Sequence, residues 1–515
     1  MHGNLYALVN ERGTEMKQLI ALLLCVVLLP LCSIDEQPVQ DGFSTPEEAV
    51  VAFLGCLRDQ DLGKAMSVFR TEEYGAGGRF RDIILGYSFY TPERWPALPG
   101  NTKLEEDINA ALLTCQNADD LCLFFAALTY PDSSSWQLGD MRSSTLRTGI
   151  VRTDEEAAAL LASFDLSRLD ALAGMDHIRV LKPDEATDGT YSTYRRLATV
   201  LDRLRTRYGA DEVCERAAYF TVGTKEYVFA PVLGRYGRSW YIISFYGQLA
   251  GKLEISGATG SFRLVGDAVE PASAADSDAN DAAPLLPWEE VGGSTPEEAV
   301  ALYLEGLRDG DLAKVMSAFA WDTMREHTDL ATAALSTSYY SGTNNWPVFP
   351  EGSTMLKQLD LAELAKQRLS RLALSLADFL TEGAIFNDQQ WMIQRRLPVR
   401  SEEDADAVLA LFDDTRTELL GGLSNIRFFQ PSDYVPGFTS ENIQKAEERY
   451  RVLYGADELA DVIAVFTIGG EEYVIMPQLL RYGDRWYIST LSSVSANLCN
   501  LPFTNCALCK LSDVR

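Results

Sequence analysis

The sequence predicts an α+β protein built from two tandem repeats. Each opens with helices, runs through a long, mostly helical middle and ends in an antiparallel sheet. Two observations carry this. A duplication runs in order along the chain, and within each copy the hydrophobic period changes from helical spacing to two-residue alternation. The composition fits a folded protein, with 47% hydrophobic and 23% charged residues in 515. Against 45 Lys and Arg stand 74 Asp and Glu, a formal charge of −29. That excess opposes the phosphate contacts of a nucleic-acid binder and those of a polybasic membrane-surface protein.

The chain opens with a mixed polar stretch and turns into an export signal at Met16, which reads as the true start. Met16-Lys17-Gln18 is a positive beginning, Leu19–Leu31 is apolar, and Cys32-Ser33 follows. About 13 apolar residues fall short of the ~20 a membrane-spanning helix needs. Residues 1–33 are therefore expected to be leader plus signal peptide. Leu29-Pro30-Leu31-Cys32 resembles a bacterial lipobox, with Leu31 where that pattern has a small residue, and this implies lipidation at Cys32. Cleavage after Ser33 with free secretion, and an uncleaved anchor, are the alternatives.

The duplication is explicit. Ser44-Thr45-Pro46-Glu47-Glu48-Ala49-Val50 returns as Ser294-Thr295-Pro296-Glu297-Glu298-Ala299-Val300, and Leu57-Arg58-Asp59 as Leu307-Arg308-Asp309. Trp95-Pro96 returns as Trp346-Pro347, Tyr208-Gly209-Ala210-Asp211 as Tyr454-Gly455-Ala456-Asp457, and Arg235-Tyr236-Gly237 as Arg481-Tyr482-Gly483. The repeats are expected at 42–265 and 290–495, joined by an Ala/Asp/Pro-rich linker at 266–289 and followed by a Cys-containing tail at 496–515.

Ser44 or Thr45 suits the cap of a first helix, Pro46 its first turn, and Glu47 and Glu48 its positive end. Asp59–Asp61 breaks that helix and Leu62–Phe69 begins another. Leu104–Leu128 and Glu155–Leu172 read as helical. Ala217–Val222, Tyr227–Leu233 and Ser239–Phe245 read as a three-stranded meander, with Gly469-Gly470 at the matching turn of the second copy.

The opening T-P-E-E-A-V and L-R-D-x-D-L segments, with the closing G-x-x-W-Y-I strand, resemble the nuclear transport factor 2-like superfamily. That resemblance implies helices in the concave face of a curved sheet, a cone with a pocket. It leaves open the activity of a superfamily that includes ketosteroid isomerases and polyketide cyclases.

Candidate chemistry is sparse. None of the 3 histidines is shared by the repeats, and no H-E-x-x-H occurs. No metal or cofactor is expected. Asp59, Asp61, Asp309 and Asp311 sit at a helix junction, where Asp also serves as a cap. Trp95, Trp346, Tyr227, Tyr473, Trp240 and Trp486 are candidates for either core or pocket wall. Arg235 and Arg481 are candidate anion contacts, and Cys115 with Cys122, or Cys506 with Cys509, are candidate disulfides. The expected function is an exported cell-envelope binding or interaction module, lipid-anchored, acting on an unidentified ligand or envelope protein. An isomerase- or cyclase-like enzyme using a carboxylate or Tyr in one cone, and a structural spacer, are the alternatives.

Overall fold

The computed structural model describes residues 42–71, 80–87, 89–92, 94–129, 149–255, 262–269, 284–340, 348–385, 397–413, 415–434, 441–491, 493 and 508–513. The export signal with Cys32, Trp346, Cys506 and most of the linker lie outside them. From Ser44 on, the described residues form one compact unit, and the fold is α+β.

The first repeat carries helices α1 (Pro46–Arg58), α2 (Leu62–Ser67), α3 (Phe80–Tyr87), α4 (Lys103–Thr129), α5 (Asp154–Ala162), α6 (Ser167–Ala173), α7 (Pro183–Ala186), α8 (Leu197–Tyr208) and α9 (Gln248–Lys252). Its strands are β1 (Phe89–Tyr90), β2 (Gly149–Ile150), β3 (Asp176–Leu181), β4 (Glu212–Glu215), β5 (Ala217–Val222), β6 (Lys225–Phe229), β7 (Val232–Tyr236), β8 (Ser239–Ser244) and β9 (Phe262–Asp267). The second repeat follows with α10 (Pro296–Asp309), α11 (Leu312–Ser317), α12 (Asp322–His327), α13 (Leu330–Thr337), α14 (Thr354–Leu380), α15 (Glu402–Leu409), α16 (Thr415–Leu420), α17 (Pro431–Tyr434) and α18 (Glu441–Leu453). Its strands are β10 (Tyr339–Tyr340), β11 (Leu397–Pro398), β12 (Ser424–Phe429), β13 (Glu458–Asp461), β14 (Ile463–Ile468), β15 (Glu471–Ile475), β16 (Gln478–Tyr482), β17 (Arg485–Thr490) and β18 (Cys509–Lys510).

Local chemistry explains the helix starts. Thr45 accepts from Glu48 N at 3.1 Å while the Glu48 carboxylate accepts from Ser44 N at 3.0 Å, and Thr295, Glu298 and Ser294 repeat this. Asp61 and Asp311 cap α2 and α11 through Lys64 N and Lys314 N, so these two aspartates act as helix caps. The helical stretch expected over 155–172 is broken. Asp165 N donates to the Thr129 carbonyl at 2.7 Å, which ties the break to the end of α4.

The sheet is bent in both repeats. β3-β5-β6-β9 and β4-β7-β8 are separate hydrogen-bonded sheets, yet only Arg216 parts β4 from β5, and Ala230-Pro231 parts β6 from β7. The single strand expected over Tyr227–Leu233 is therefore two. Pro231 has no N–H to give the ladder, and Arg216 N donates across the corner to its carbonyl at 3.3 Å. Pro477 does the same for β15 and β16, accepting from Val462 N at 3.4 Å. Against the first bend Phe53, Phe69, Phe229 and Phe245 pack with ring centroids 5.1–5.9 Å apart. The C-terminal segment is more than a tail: β18 pairs with β15 as β9 pairs with β6.

The two repeats are joined by exchange. β1 of the first pairs with β11 of the second, and β10 of the second with its counterpart's β2. Helix α3 packs on α15, and reciprocally α13 packs on α5. The longest helices, α4 and α14, lie directly against each other. Reciprocal contacts of this kind are those of an isologous dimer written on one chain. Cutting at a protease site inserted between Ala274 and Ala275 is therefore expected to leave both halves eluting together at the size of the intact protein. Elution as two separate folded halves would contradict the exchange.

Candidate functional site

Helices α4 and α14 both run 27 residues, and position for position they are offset by 251. Each holds the loop that follows Trp-Pro. In the first repeat Asn109 Oδ1 accepts from Ala97 N at 2.9 Å and Leu98 N at 3.2 Å. In the second, Asp360 at the matching position accepts from Val348 N at 2.9 Å and from buried Arg325 at 2.7 Å. The first loop seats Trp95, 2% exposed and stacked on Tyr208 with centroids 5.9 Å apart.

A cleft of about 840 Å³ opens between the repeats and is lined from both sides. Its floor is made of matched positions of the two long helices: Gln116 with Gln367, Asn117 with Arg368, Asp119 with Ser370, and Asp120 with Arg371. The ends of β8 and β17 contribute Ser244 and Thr490, the end of α8 contributes Tyr208, and Tyr454 follows directly after α18. Its volume falls in the range of small-molecule sites, roughly 300–1,000 Å³.

Charges across the helix seam are paired. Lys366 meets Asp119 on the opposite helix and Glu363 at 2.7 Å on its own. Burial works against the Lys366 ammonium, but Asp119 and Glu363 hold its pKa above the usual lysine value. Burial, then Asp119, raises both neighbouring carboxyls, Glu363 strongly and Asp120 up to about 7.

Of the sequence candidates, the structure brings Trp95 into the cleft. Tyr227 stacks on Phe220 and Tyr473 on Phe466, both within the hydrophobic packing of their sheets. Trp240 and Trp486 are 9% and 8% exposed in β8 and β17. Arg235 and Arg481 have partners inside the chain. Each binds a carboxylate at 3.0 Å, Glu212 and Glu458, and a turn carbonyl, Gly237 and Gly483. They belong to a clasp in which Tyr236 Oη donates to the Tyr208 carbonyl and Gly237 N to Asp211; Tyr482, Tyr454, Gly483 and Asp457 repeat it. Gly455 has φ 60°, and a Cβ there would meet the His327 carbonyl at 2.0 Å.

Cys115 and Cys122 form no disulfide. They stand seven positions apart on one helix, about 10.5 Å along its axis, beyond the ~7 Å a bridge tolerates. His177 and its counterpart Asn425 both take positive φ, 51° and 54°, at matching bulges in β3 and β12. Among the described residues no metal-ligand cluster occurs, and no helix is long and apolar enough to cross a membrane.

The fold has a solved counterpart. The chain is similar in structure to a cystatin-like protein from Ruminococcus gnavus ATCC 29149, with TM-score 0.50 and 14% identity over 90% of this chain and 92% of that one. The similarity therefore spans both repeats. No family model and no curated protein matches the sequence.

Raised carboxyl pKa values set the sign of a pH effect. Asp120 and Glu363 keep protons in the native state that the unfolded chain has already lost. Between about pH 5.5 and about pH 8.5 the native state binds more protons, so stability falls as pH rises. The melting temperature is expected to be higher at the acidic end, and Asp120→Asn to flatten the difference. A melting temperature that rises with pH would contradict the assignment.

Proposed function

We propose that this chain is an exported binding module whose small-molecule ligand occupies the cleft between the repeats. The observation that carries the reading is the cleft itself, sized for a small molecule and lined by matched residues of both halves. The aromatic cluster of Phe53, Phe69, Phe229 and Phe245 supports placing the ligand there, because it occupies the space between α1 and the first bent sheet. On this reading the two repeats are nuclear transport factor 2-like domains, residues 16–33 direct export, and Cys32 is the lipid attachment point in the cell envelope.

Ser370, half-buried on the cleft floor, is the place to block it. Wild-type protein incubated with a metabolite extract of its host is expected to enrich a discrete small molecule, detected by mass spectrometry. Ser370→Trp is expected to lower that enrichment at least about tenfold, corresponding to about 1.4 kcal/mol, with unchanged circular dichroism. Equal enrichment by both proteins would sink the proposal.

A further inference from the structure

Resting on the cleft as the binding site, we infer that its ligand carries an oxyanion, a carboxylate or phosphate, on a flat apolar body, with Arg368 as the anchor. Arg368 is 6% exposed and lines the cleft. Its hydrogen bonds are long: Nη1 lies 3.5 Å from Gln367 Oε1 and Nη2 lies 3.7 Å from Met324 Sδ. Nε has no partner, and among the described residues no carboxylate lies within ion-pair distance of the group.

Other buried arginines are supplied. Arg325 holds Asp360 at 2.7 Å and the Phe349 carbonyl at 2.9 Å. Arg416 holds the Phe379 carbonyl at 2.7 Å, the Tyr473 hydroxyl at 3.0 Å and Glu382. A guanidinium taken out of water without an acceptor is costly, and its planar donors fit an oxyanion with two oxygens.

A second observation comes from the other repeat. Asn117, the position matching Arg368, is also 6% exposed, also lines the cleft, and its Nδ2 donor has no partner. Two buried residues, one from each half, therefore line the same cleft, and each keeps a donor without an acceptor. Charge agrees. The cleft is lined by five basic side chains and two acidic ones, in a chain whose net charge is −29. One of the acids, Asp119, is already paired with Lys366. A flat surface for the ligand body is available from half-buried Tyr450 and Tyr454, which line the cleft and stack at 6.2 Å. The acidic exterior disfavours a polyanion, leaving a small molecule that enters singly.

Calorimetry with benzoate, phenyl phosphate and uncharged benzamide tests this on the full-length protein. Benzoate or phenyl phosphate is expected to bind saturably and at least about tenfold more tightly than benzamide. The tighter of the two tells whether a carboxylate or a phosphate is preferred. Arg368→Gln and Asn117→Asp are each expected to weaken that binding at least about tenfold, with Arg368→Lys keeping part of it. Should Arg368→Gln fail to fold, the comparison of benzoate with benzamide on the wild-type protein decides alone. Benzamide binding as well as benzoate, or neither anion binding, overturns the oxyanion while leaving the cleft. Anion binding that Ser370→Trp does not change overturns the cleft as the site.

Discussion

The packing of α4 against α14 is the contact on which the rest of the molecule depends. Helix α14 is buried over most of its length, from Met355 to Leu380, so it has no solvent face on which to stand alone. Its partner is the equivalent helix of the other copy, and each buries what the other would expose. Lys366 crosses this seam to Asp119. A buried ion pair adds little net stability against an apolar replacement, but a lone charge left there is strongly unfavourable, which fixes how the two helices sit. The exchanged strands β1, β2, β10 and β11 close the same interface from its edges.

Because the seam joins equivalent helices, a cleft lined by matched positions forms beside it. Duplication then frees the two sides to differ. Asn109 and Asp360 do the same work on their loops, one neutral and one through Arg325. Asn117 and Arg368 line the same cleft and differ in charge. A symmetric dimer of one repeat would present two copies of the same residue; a tandem chain can present a neutral amide opposite a cation.

Much of the architecture was legible in sequence because it is local. Thr45, Pro46 and Glu48 spell a helix start, and Asp61 a cap. The recurring Tyr-Gly-Ala-Asp and Arg-Tyr-Gly segments were visible as motifs, but not that they clasp one another across 26 residues from Asp211 to Gly237. Pro231 carried a readable warning against one continuous strand. The edge strand at Cys509 was hidden by its length of two residues. The cleft was least legible. Arg368 and Asn117 lie in long helical stretches whose burial is set by a partner about 250 residues away, and no local period reports that. The available signal was a set of charged residues, Lys366, Arg368 and Arg371, placed among the leucines and alanines of α14.

The acidic balance of the chain now has a local exception, a basic cleft at the joint of two copies. A crystal structure of the protein purified from its own host without refolding tests this most directly. Ligand density between α4 and α14, within hydrogen-bonding reach of Arg368 and Asn117, is the result the account predicts. Ligand density between α1 and the bent sheet of either repeat, with none in the cleft, would contradict it.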